Sequence, residues 1–383
     1  MKFGGSSLGF TTRVVVALSG GVDSSVAAAL LKEQGHEVIG LMMRLWSEPG
    51  KEDFNRCCTP DAMANARHVA EMFDIPFYVI DAKEVFREKI VQFFIDGYTS
   101  GVTPNPCMEC NRHIRWDFLL NKALSLGATH LATGHYARVH AVTPNDSRDD
   151  PVGRLPIGDV PPERLYQLLK AIDAHKDQSY VLSVMGQEQL SRAMFPVGEY
   201  TKAEVRELAR KFNLPTAERA DSQDLCFISD KDYHRFLNDH APGVAKPGPI
   251  VDRAGKVMGE HKGLPFYTIG QRKGIGVAAP EAYYVLGSDP ERNALIVGFE
   301  SELGQTTMRV GRINRVSGIA PGEPFTAEIK IRYKAAGRRG TVTPIGDDRA
   351  GVTFAEPMRD ITPGQAAVFY DGDVCLGGGI ILR

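Results

Sequence analysis

Two cysteines three positions apart are the first residues of this chain that could do chemistry. Cys107 and Cys110 stand in the segment TPNPCMECN, where the prolines predict a stiffened loop. Such a pair could bind zinc, form a redox couple, ligate an iron–sulfur cluster or supply a nucleophile with a neighbouring thiol. No second C-x-x-C pair exists, and His113 completes no standard zinc-finger spacing, which disfavours structural zinc. The spacing alone leaves the other roles open.

A segment rich in glycine and serine near the start of the chain could hold a phosphate. Residues 17–25 read ALSGGVDSS and lie between an apolar strand and a helix. Glycines let backbone N–H groups turn around an anion, serines add hydroxyl donors, and the helix N-terminus adds its dipole. No GK[ST] follows, so this is not a Walker loop. Adjacent glycines could form only a tight turn, but the full S-G-G-x-D-S string favours phosphate binding. The expected nucleotide contacts are Ala17, Leu18, Ser19, Gly20, Gly21, Val22, Asp23 and Ser24.

The bulk composition describes a globular protein of two or three domains. The chain has 383 residues, 43% of them hydrophobic and 24% charged, and its net charge is −2. Any nucleic-acid surface must therefore be local. Residues 1–12 carry one Lys and no long apolar core, which predicts a flexible leader rather than a secretory signal. Six cysteines in such a chain suit a reducing cytoplasm, and the apolar runs are too short to cross a membrane.

The elements that must position these residues change in character along the chain. Residues 13–226 alternate apolar strands with amphipathic helices, which predicts an α/β fold with a doubly wound parallel sheet. Functional loops of such folds lie at the carboxyl ends of the strands. From about residue 247, glycine, proline and β-branched residues dominate. We expect a small β-rich domain at 227–295 and a β-barrel-like domain at 296–383.

Motifs along nearly the whole chain resemble one known family. They include SGGVDSS, TPNPCMECN, ATGHYAR, KDQSYVLS, FPVGEYTKAEVRELA, DSQDLCFI, HKGLPFYTIGQRKGIG and TPGQAAVFYDGDVCLGGGII. In this order they are similar to the bacterial tRNA-specific 2-thiouridylases, which are N-type ATP pyrophosphatases. The resemblance implies ATP-dependent 2-thiolation of the wobble uridine of tRNA (position 34) through an adenylated base and a cysteine persulfide. AMP and pyrophosphate would be released, and Mg²⁺ would accompany ATP.

The resemblance also implies roles for the cysteines. Cys226 takes the place of the persulfide carrier and Cys110 that of the nucleophilic thiol, and a disulfide between them would have to be reduced. Cys107 departs from the family pattern, because many members have Asp there. It could act as the general base at uracil N3. Alternatively, Cys107, Cys110 and Cys226 could together hold a [4Fe–4S] cluster. We assign no chemistry to Cys57 and Cys58, and we expect Cys375 to lie in the core.

The remaining expected contacts come from the same resemblance. Met43 would pack on adenine, and Gly134 would let backbone approach the nucleotide. From Arg309 to Gly340 the chain has eight Lys or Arg and two Glu, a plausible phosphate-binding face. Tyr333 there could stack on an unstacked base. The full set expected to contact tRNA is Asn105, Pro106, Cys107, His135, Lys176, Asp177, Gln178, Arg332, Tyr333 and Gln365.

The implied partners are tRNA and a sulfur carrier or cysteine desulfurase that donates the persulfide. Two other functions remain open from the residues. An adenylating, amide-forming ligase of the same ATP-pyrophosphatase group would need no cysteines. A non-catalytic RNA-binding protein that kept the fold would bind tRNA without using ATP.

Overall fold

The computed structural model describes residues 12–50, 59–142, 165–220, 225–278, 280–318 and 322–383. Residues 1–11 of the expected leader lie outside the described residues, as do Cys57 and Cys58. Within the described ranges, no helix is both long and apolar enough to cross a membrane.

The first part of the chain alternates strands and helices, as the sequence predicts. Its elements are β1 (Arg13–Ala17), α1 (Val22–Glu33), β2 (Glu37–Arg44), α2 (Pro60–Met72), β3 (Phe77–Asp81), α3 (Lys83–Phe86), a π-helical segment (Arg87–Val91), α4 (Gln92–Thr99), α5 (Pro106–Glu109), a second π-helical segment (Cys110–Leu119), α6 (Leu120–Ser125), β4 (His130–Ala132), β5 (Arg138–Val142), β6 (Leu165–Leu169), α7 (Ser179–Leu182), α8 (Gln187–Leu190), β7 (Ala193–Met194) and α9 (Lys202–Lys211).

Five of these strands form a parallel sheet in the order β3-β2-β1-β4-β7. Both faces of the central strand are covered. Val14 and Val16 pack with residues of α1, α2 and α9, whereas Val15 packs with residues of the second π-helical segment and α6. A strand buried on both faces explains the continuous apolar run of β1. The predicted doubly wound α/β sheet is confirmed.

The expected loop at Cys107 and Cys110 is wrong, because these residues lie in a helix. Asn105 caps α5, its side chain accepting a hydrogen bond from the backbone N–H of Met108 at 3.3 Å. Pro106 occupies the first helical position, where its missing N–H costs nothing. The helical backbone then continues through Cys110–Leu119 into α6. Cys107 and Cys110 therefore have fixed positions at the start of one long helix.

The rest of the chain is mainly β structure. Helix α10 (Tyr233–His240) precedes a four-stranded sheet of order β10-β11-β8-β9, formed by β8 (Gly248–Val251), β9 (Val257–His261), β10 (Tyr284–Asp289) and β11 (Ala294–Gly298). The last strands are β12 (Gln305–Arg315), β13 (Phe325–Lys330), β14 (Arg338–Ile345), β15 (Arg349–Met358), β16 (Ala366–Asp371) and β17 (Val374–Ile381).

The last six strands close into an antiparallel barrel, because β12 pairs with both β15 and β17. This confirms the barrel expected from the sequence. The barrel sheet also continues into the first part of the chain, since β17 pairs with β6 and β6 pairs with β5. Cys375 is buried in β17, as expected, and its partner Leu168 in β6 is also fully buried. The barrel is thus joined to the parallel-sheet region through a shared sheet.

Candidate active site

The turn between β1 and α1 has the form of a phosphate-binding loop. Gly20 has φ +69°, and a Cβ there would lie 2.1 Å from the carbonyl oxygen of Ala62. The Ser24 hydroxyl accepts a hydrogen bond from the backbone N–H of Ser19 at 3.2 Å and donates to the Gly21 carbonyl at 3.1 Å. Ser19 is exposed at the mouth of the turn. These contacts hold the loop around the N-terminus of α1, which is the arrangement that binds an anion.

Asp23, in the first turn of α1, carries two close partners. Lys202 Nζ lies 2.7 Å from Asp23 Oδ1, and the Tyr136 hydroxyl donates to the same oxygen at 2.7 Å. Gly134, at the end of β4, lies against this turn: a Cβ there would be 2.7 Å from the backbone nitrogen of Ser24. The two predicted nucleotide segments, around Gly20 and Gly134, therefore meet at one edge of the sheet.

The two cysteines expected to carry sulfur lie in one apolar cluster. We call this the cysteine cluster: it contains buried Cys110, at 7% exposure, and partly buried Cys226, packed with aromatic side chains such as Phe227. Met43, near the end of β2, packs against the same cluster. The end of β2, where adenine is expected to bind, is thus in contact with the cysteine cluster.

Arg115 supplies a positive charge inside this region. Its Nη1 donates to Cys110 Sγ at 3.5 Å. A guanidinium beside a thiol favours the thiolate, which is the nucleophilic form. Cys107 differs from Cys110 in being exposed on α5. Its charge contributes, after burial and Asp177, to raising the pKa of Tyr333, in the barrel part of the chain, to about 12.

The described side chains do not assemble a metal site from the three cysteines. No group of three or more His, Cys, Asp or Glu residues within the described ranges is arranged to hold a metal ion. Cys107, Cys110 and Cys226 all lie in those ranges. As they stand, they do not form the ligand set that a [4Fe–4S] cluster requires.

His135 is buried beside the loop rather than exposed to a partner. It is 8% exposed, its Nδ1 is 2.7 Å from the Thr133 hydroxyl, and its ring packs edge-on against Phe195. Burial, with the positive charge of Arg115, lowers the pKa of His135 to about 3. The ring is therefore uncharged at neutral pH.

The segment of Lys176, Asp177 and Gln178 meets the barrel. The Tyr333 hydroxyl donates to the Lys176 carbonyl at 3.5 Å. Asp177 is 6% exposed, and its carboxylate accepts from the backbone N–H of Ala171 and Ser179. Gln178 Oε1 accepts from the Tyr136 N–H at 2.9 Å. The Asp177 and Gln178 side chains thus hold the protein itself in shape.

Two further residues expected to contact tRNA also make contacts within the protein. Arg332 Nη2 donates to the Ile269 carbonyl at 2.9 Å and to the Thr362 hydroxyl at 3.1 Å. Gln365 Nε2 donates to the carbonyls of Thr103 at 3.0 Å and Pro104 at 3.3 Å. Gln365 therefore links the barrel to the segment that leads into α5.

Sequence reasoning missed Lys202, Tyr136, Arg219 and Arg115. Each lies in or near a segment that was singled out, but no spacing rule points to these side chains. Arg219 Nη1, for instance, donates to the Gly20 carbonyl at 3.0 Å across a long stretch of chain. One feature of the sequence does point to such residues: SGGVDSS contains no Lys or Arg, so positively charged side chains for a bound phosphate must come from other segments.

Family models match the chain in three consecutive parts. The tRNA methyl transferase HUP domain matches residues 12–230, the tRNA methyl transferase PRC-barrel domain residues 234–299, and the aminomethyltransferase beta-barrel domain residues 305–381. Together with the parallel sheet and its anion-binding turn, these matches define the class: a HUP-domain protein of the tRNA methyl transferase type with two β-barrel modules.

Similar proteins narrow that class to one family. The tRNA-specific 2-thiouridylase MnmA of Roseiflexus castenholzii is 47% identical over 97% of this chain and 99% of its own length. Its namesake from Carboxydothermus hydrogenoformans is 46% identical over 96% of this chain and 97% of its own. The chain belongs to the tRNA-specific 2-thiouridylase family. A solved 4-thiouridine synthetase–RNA complex with bound ATP is 16% identical over 60% of this chain and 50% of that chain, with a TM-score of 0.35, too low to bear on function.

Proposed function

We propose that this protein uses ATP to replace the C2 oxygen of the wobble uridine of tRNA (position 34) with sulfur. The observation that carries the proposal is the packing of Cys110 and Cys226 in one cluster that also contacts Met43 at the nucleotide edge. An adenylating ligase would have no use for two thiols gathered there. Family membership supports the same reaction.

Adenylation of the base is the first step. The uridine O2 attacks the α-phosphorus of ATP, the bond to the bridging oxygen breaks, and pyrophosphate leaves with the electron pair. Backbone N–H groups around Gly20 and Gly21 and the hydroxyl of Ser19 bind the phosphates. Asp23 suits Mg²⁺, which proteins usually hold through one or two carboxylates together with substrate phosphates. Bound Mg²⁺ would neutralise charge on the departing pyrophosphate.

Sulfur transfer follows at the cysteine cluster. The outer sulfur of a Cys226 persulfide attacks C2, and AMP leaves with the former O2. The Cys110 thiolate, beside Arg115, then attacks the inner sulfur of Cys226. The S–S bond breaks, its electrons stay on the sulfur now bound to C2, and a Cys110–Cys226 disulfide forms. An external thiol reductant and a persulfide donor, a sulfur carrier or a cysteine desulfurase, must restore the enzyme. Cys107 is the residue we propose for proton transfer at N3.

We propose a division of labour among the predicted domains. Residues 13–226 activate the base, residues 227–295 connect the domains, and the barrel at 296–383 binds tRNA. The reaction would take place in the cytoplasm. The uridine must leave its stack to reach Cys110, as other base-modifying enzymes require. The Tyr333 hydroxyl contacts the Lys176 carbonyl, and the charge of Cys107 acts on Tyr333, which supports a tRNA contact near the start of α5.

Cysteine substitutions test the thiolation reaction. In Cys110→Ser and Cys226→Ser we expect loss of 2-thiouridine in a tRNA transcript, measured by mass spectrometry, because serine can neither carry a persulfide nor reduce one. ATP–pyrophosphate exchange in the presence of tRNA should persist. The matched control is Cys375→Ala, whose thiol is buried in β17 and whose thiolation activity should remain.

Each alternative has its own outcome in that experiment. Exchange that survives both serine substitutions, with no 2-thiouridine formed even by wild type, would favour an adenylating ligase. Binding of tRNA without exchange would favour a non-catalytic protein. The protein should be purified without oxygen and assayed for iron and sulfide. Iron-free protein that thiolates when given persulfide supports the relay described here, whereas activity only after iron–sulfur reconstitution supports the cluster variant.

A further inference from the structure

We propose that Lys202 is a pyrophosphate-binding residue of this protein. The inference rests on the proposed function and adds a residue that the loop motif does not contain. A Walker loop carries its own lysine for the β- and γ-phosphates, but SGGVDSS has no Lys or Arg. The loop itself therefore offers a triphosphate only backbone amides and serine hydroxyls, and no positively charged side chain. The fold supplies a cation at this place from a distant part of the chain.

The position of Lys202 is fixed by its backbone. It is the first residue of α9, whose capping box joins Thr201 and Glu204: the Glu204 N–H donates to Thr201 Oγ1, and the Thr201 N–H donates to Glu204 Oε2 at 2.7 Å. The Lys202 N–H itself donates to Asp173 Oδ2 at 2.9 Å. The side chain therefore leaves from a well-anchored helix end.

Its ammonium group lies against the phosphate loop. Lys202 Nζ is 2.7 Å from Asp23 Oδ1 and 5.8 Å from the centre of the Tyr136 ring, and the side chain is only 13% exposed. The Asp23 side chain is 30% exposed, so this ion pair is partly open to solvent. A partly buried ammonium beside an anion-binding turn interacts more strongly with an added phosphate than a surface lysine does.

During adenylation, negative charge builds up on the pyrophosphate leaving group beside the phosphate loop. The bond between the α-phosphorus and the bridging oxygen breaks, and its electron pair remains on pyrophosphate. The Lys202 side chain would offset that charge electrostatically, without transferring a proton. Arg219, which donates to the Gly20 carbonyl, adds a second positive charge on the same loop. Neither residue would contact AMP beyond its α-phosphate, and this difference makes the inference testable.

Binding of three probes to the full-length protein separates the pyrophosphate site from the rest of the nucleotide site. We would titrate ATP, inorganic pyrophosphate and AMP by calorimetry into wild type, Lys202→Met and Lys202→Arg. In Lys202→Met the dissociation constants for ATP and pyrophosphate should rise about 10- to 100-fold, the usual value of a hydrogen bond to a charged group. The constant for AMP should change by less than about twofold, and Lys202→Arg should recover part of the loss.

A lysine on the same helix provides the matched control. Lys211 is exposed and pairs with Glu33 at 3.3 Å, so Lys211→Met removes one charge from α9 away from the loop and should leave all three constants unchanged. Equal pyrophosphate binding by wild type and Lys202→Met overturns the inference about Lys202 but leaves the proposed function standing. Equal weakening of AMP and pyrophosphate also overturns it, because the substitution then damages the whole pocket. If wild type binds neither ATP nor pyrophosphate, the proposed function is wrong as well.

Discussion

At the scale of single residues, burial decides what His135 can do. A histidine next to a phosphate loop suggests a cation for phosphate or RNA, yet this ring is enclosed between Thr133 and Phe195. Removing a charged imidazolium from water costs more than the Thr133 hydroxyl can return, and the positive charge of the nearby Arg115 adds to that cost. Any contact of His135 with tRNA would therefore involve a neutral ring.

The pKa of His135 leads to a prediction about stability. The value is about 3 in the folded protein and about 6.5 in an unfolded chain. The unfolded chain thus binds a proton below pH 6.5 that the folded protein does not, and stability falls as pH falls. Above pH 6.5 the group contributes no pH dependence. Between pH 6.5 and 5, wild type should lose about 2 kcal/mol more unfolding free energy than His135→Gln.

Urea unfolding at the two pH values measures this difference. His140, exposed on β5, gives the matched substitution His140→Gln, which should keep the wild-type pH dependence. Equal pH dependence in His135→Gln and wild type would mean that the histidine is protonated in the folded state.

At the scale of elements, the sequence predicts some parts of the site well and others wrongly. The apolar run of β1 and the glycines after it predict the strand, the turn and the helix, because these patterns depend on local chemistry. The expected loop is wrong from Pro106 onward, since a proline at the first helical position looks the same in sequence as a proline in a turn. Contacts such as Asp23 with Lys202 depend on tertiary packing and leave no local pattern.

The start of α5 also depends on a contact with the barrel. Gln365 holds the carbonyls of Thr103 and Pro104, and the Thr103 N–H donates to the Pro363 carbonyl at 3.0 Å. In Gln365→Ala we expect faster hydrogen exchange over residues 103–110 and a loss of about 1 kcal/mol of stability. Thiolation should slow by about tenfold through misplaced Cys110, because small displacements of reacting groups are costly. ATP affinity should not change.

Exchange measured without tRNA separates this anchoring role from RNA binding. Gln305, exposed at the start of β12, provides the control Gln305→Ala. Normal exchange over residues 103–110 together with weaker tRNA binding would show that Gln365 acts on the RNA alone.

At the scale of the whole molecule, charge is distributed unevenly. A chain of net charge −2 has an excess of six positive charges between Arg309 and Gly340. Not all of these positively charged side chains are available to bind phosphate. Arg312 pairs with buried Glu109 at 3.4 Å, and Arg332 donates to groups inside the protein. Lys334 and Arg339 are exposed on the barrel and are better placed to meet phosphate.

This distribution predicts how tRNA binding depends on salt. Each phosphate contact releases condensed counterions, so the slope of log K against log salt concentration counts the contacts. The double variant Lys334→Gln/Arg339→Gln should reduce the slope by about 1 to 2 and weaken binding most at low salt. Lys211→Gln, which removes one charge from α9, should leave the slope unchanged. An unchanged slope in the double variant would mean that tRNA binds to another face of the protein. If the barrel surface contacts phosphates, removing two of its positive charges must reduce the number of counterions released on binding.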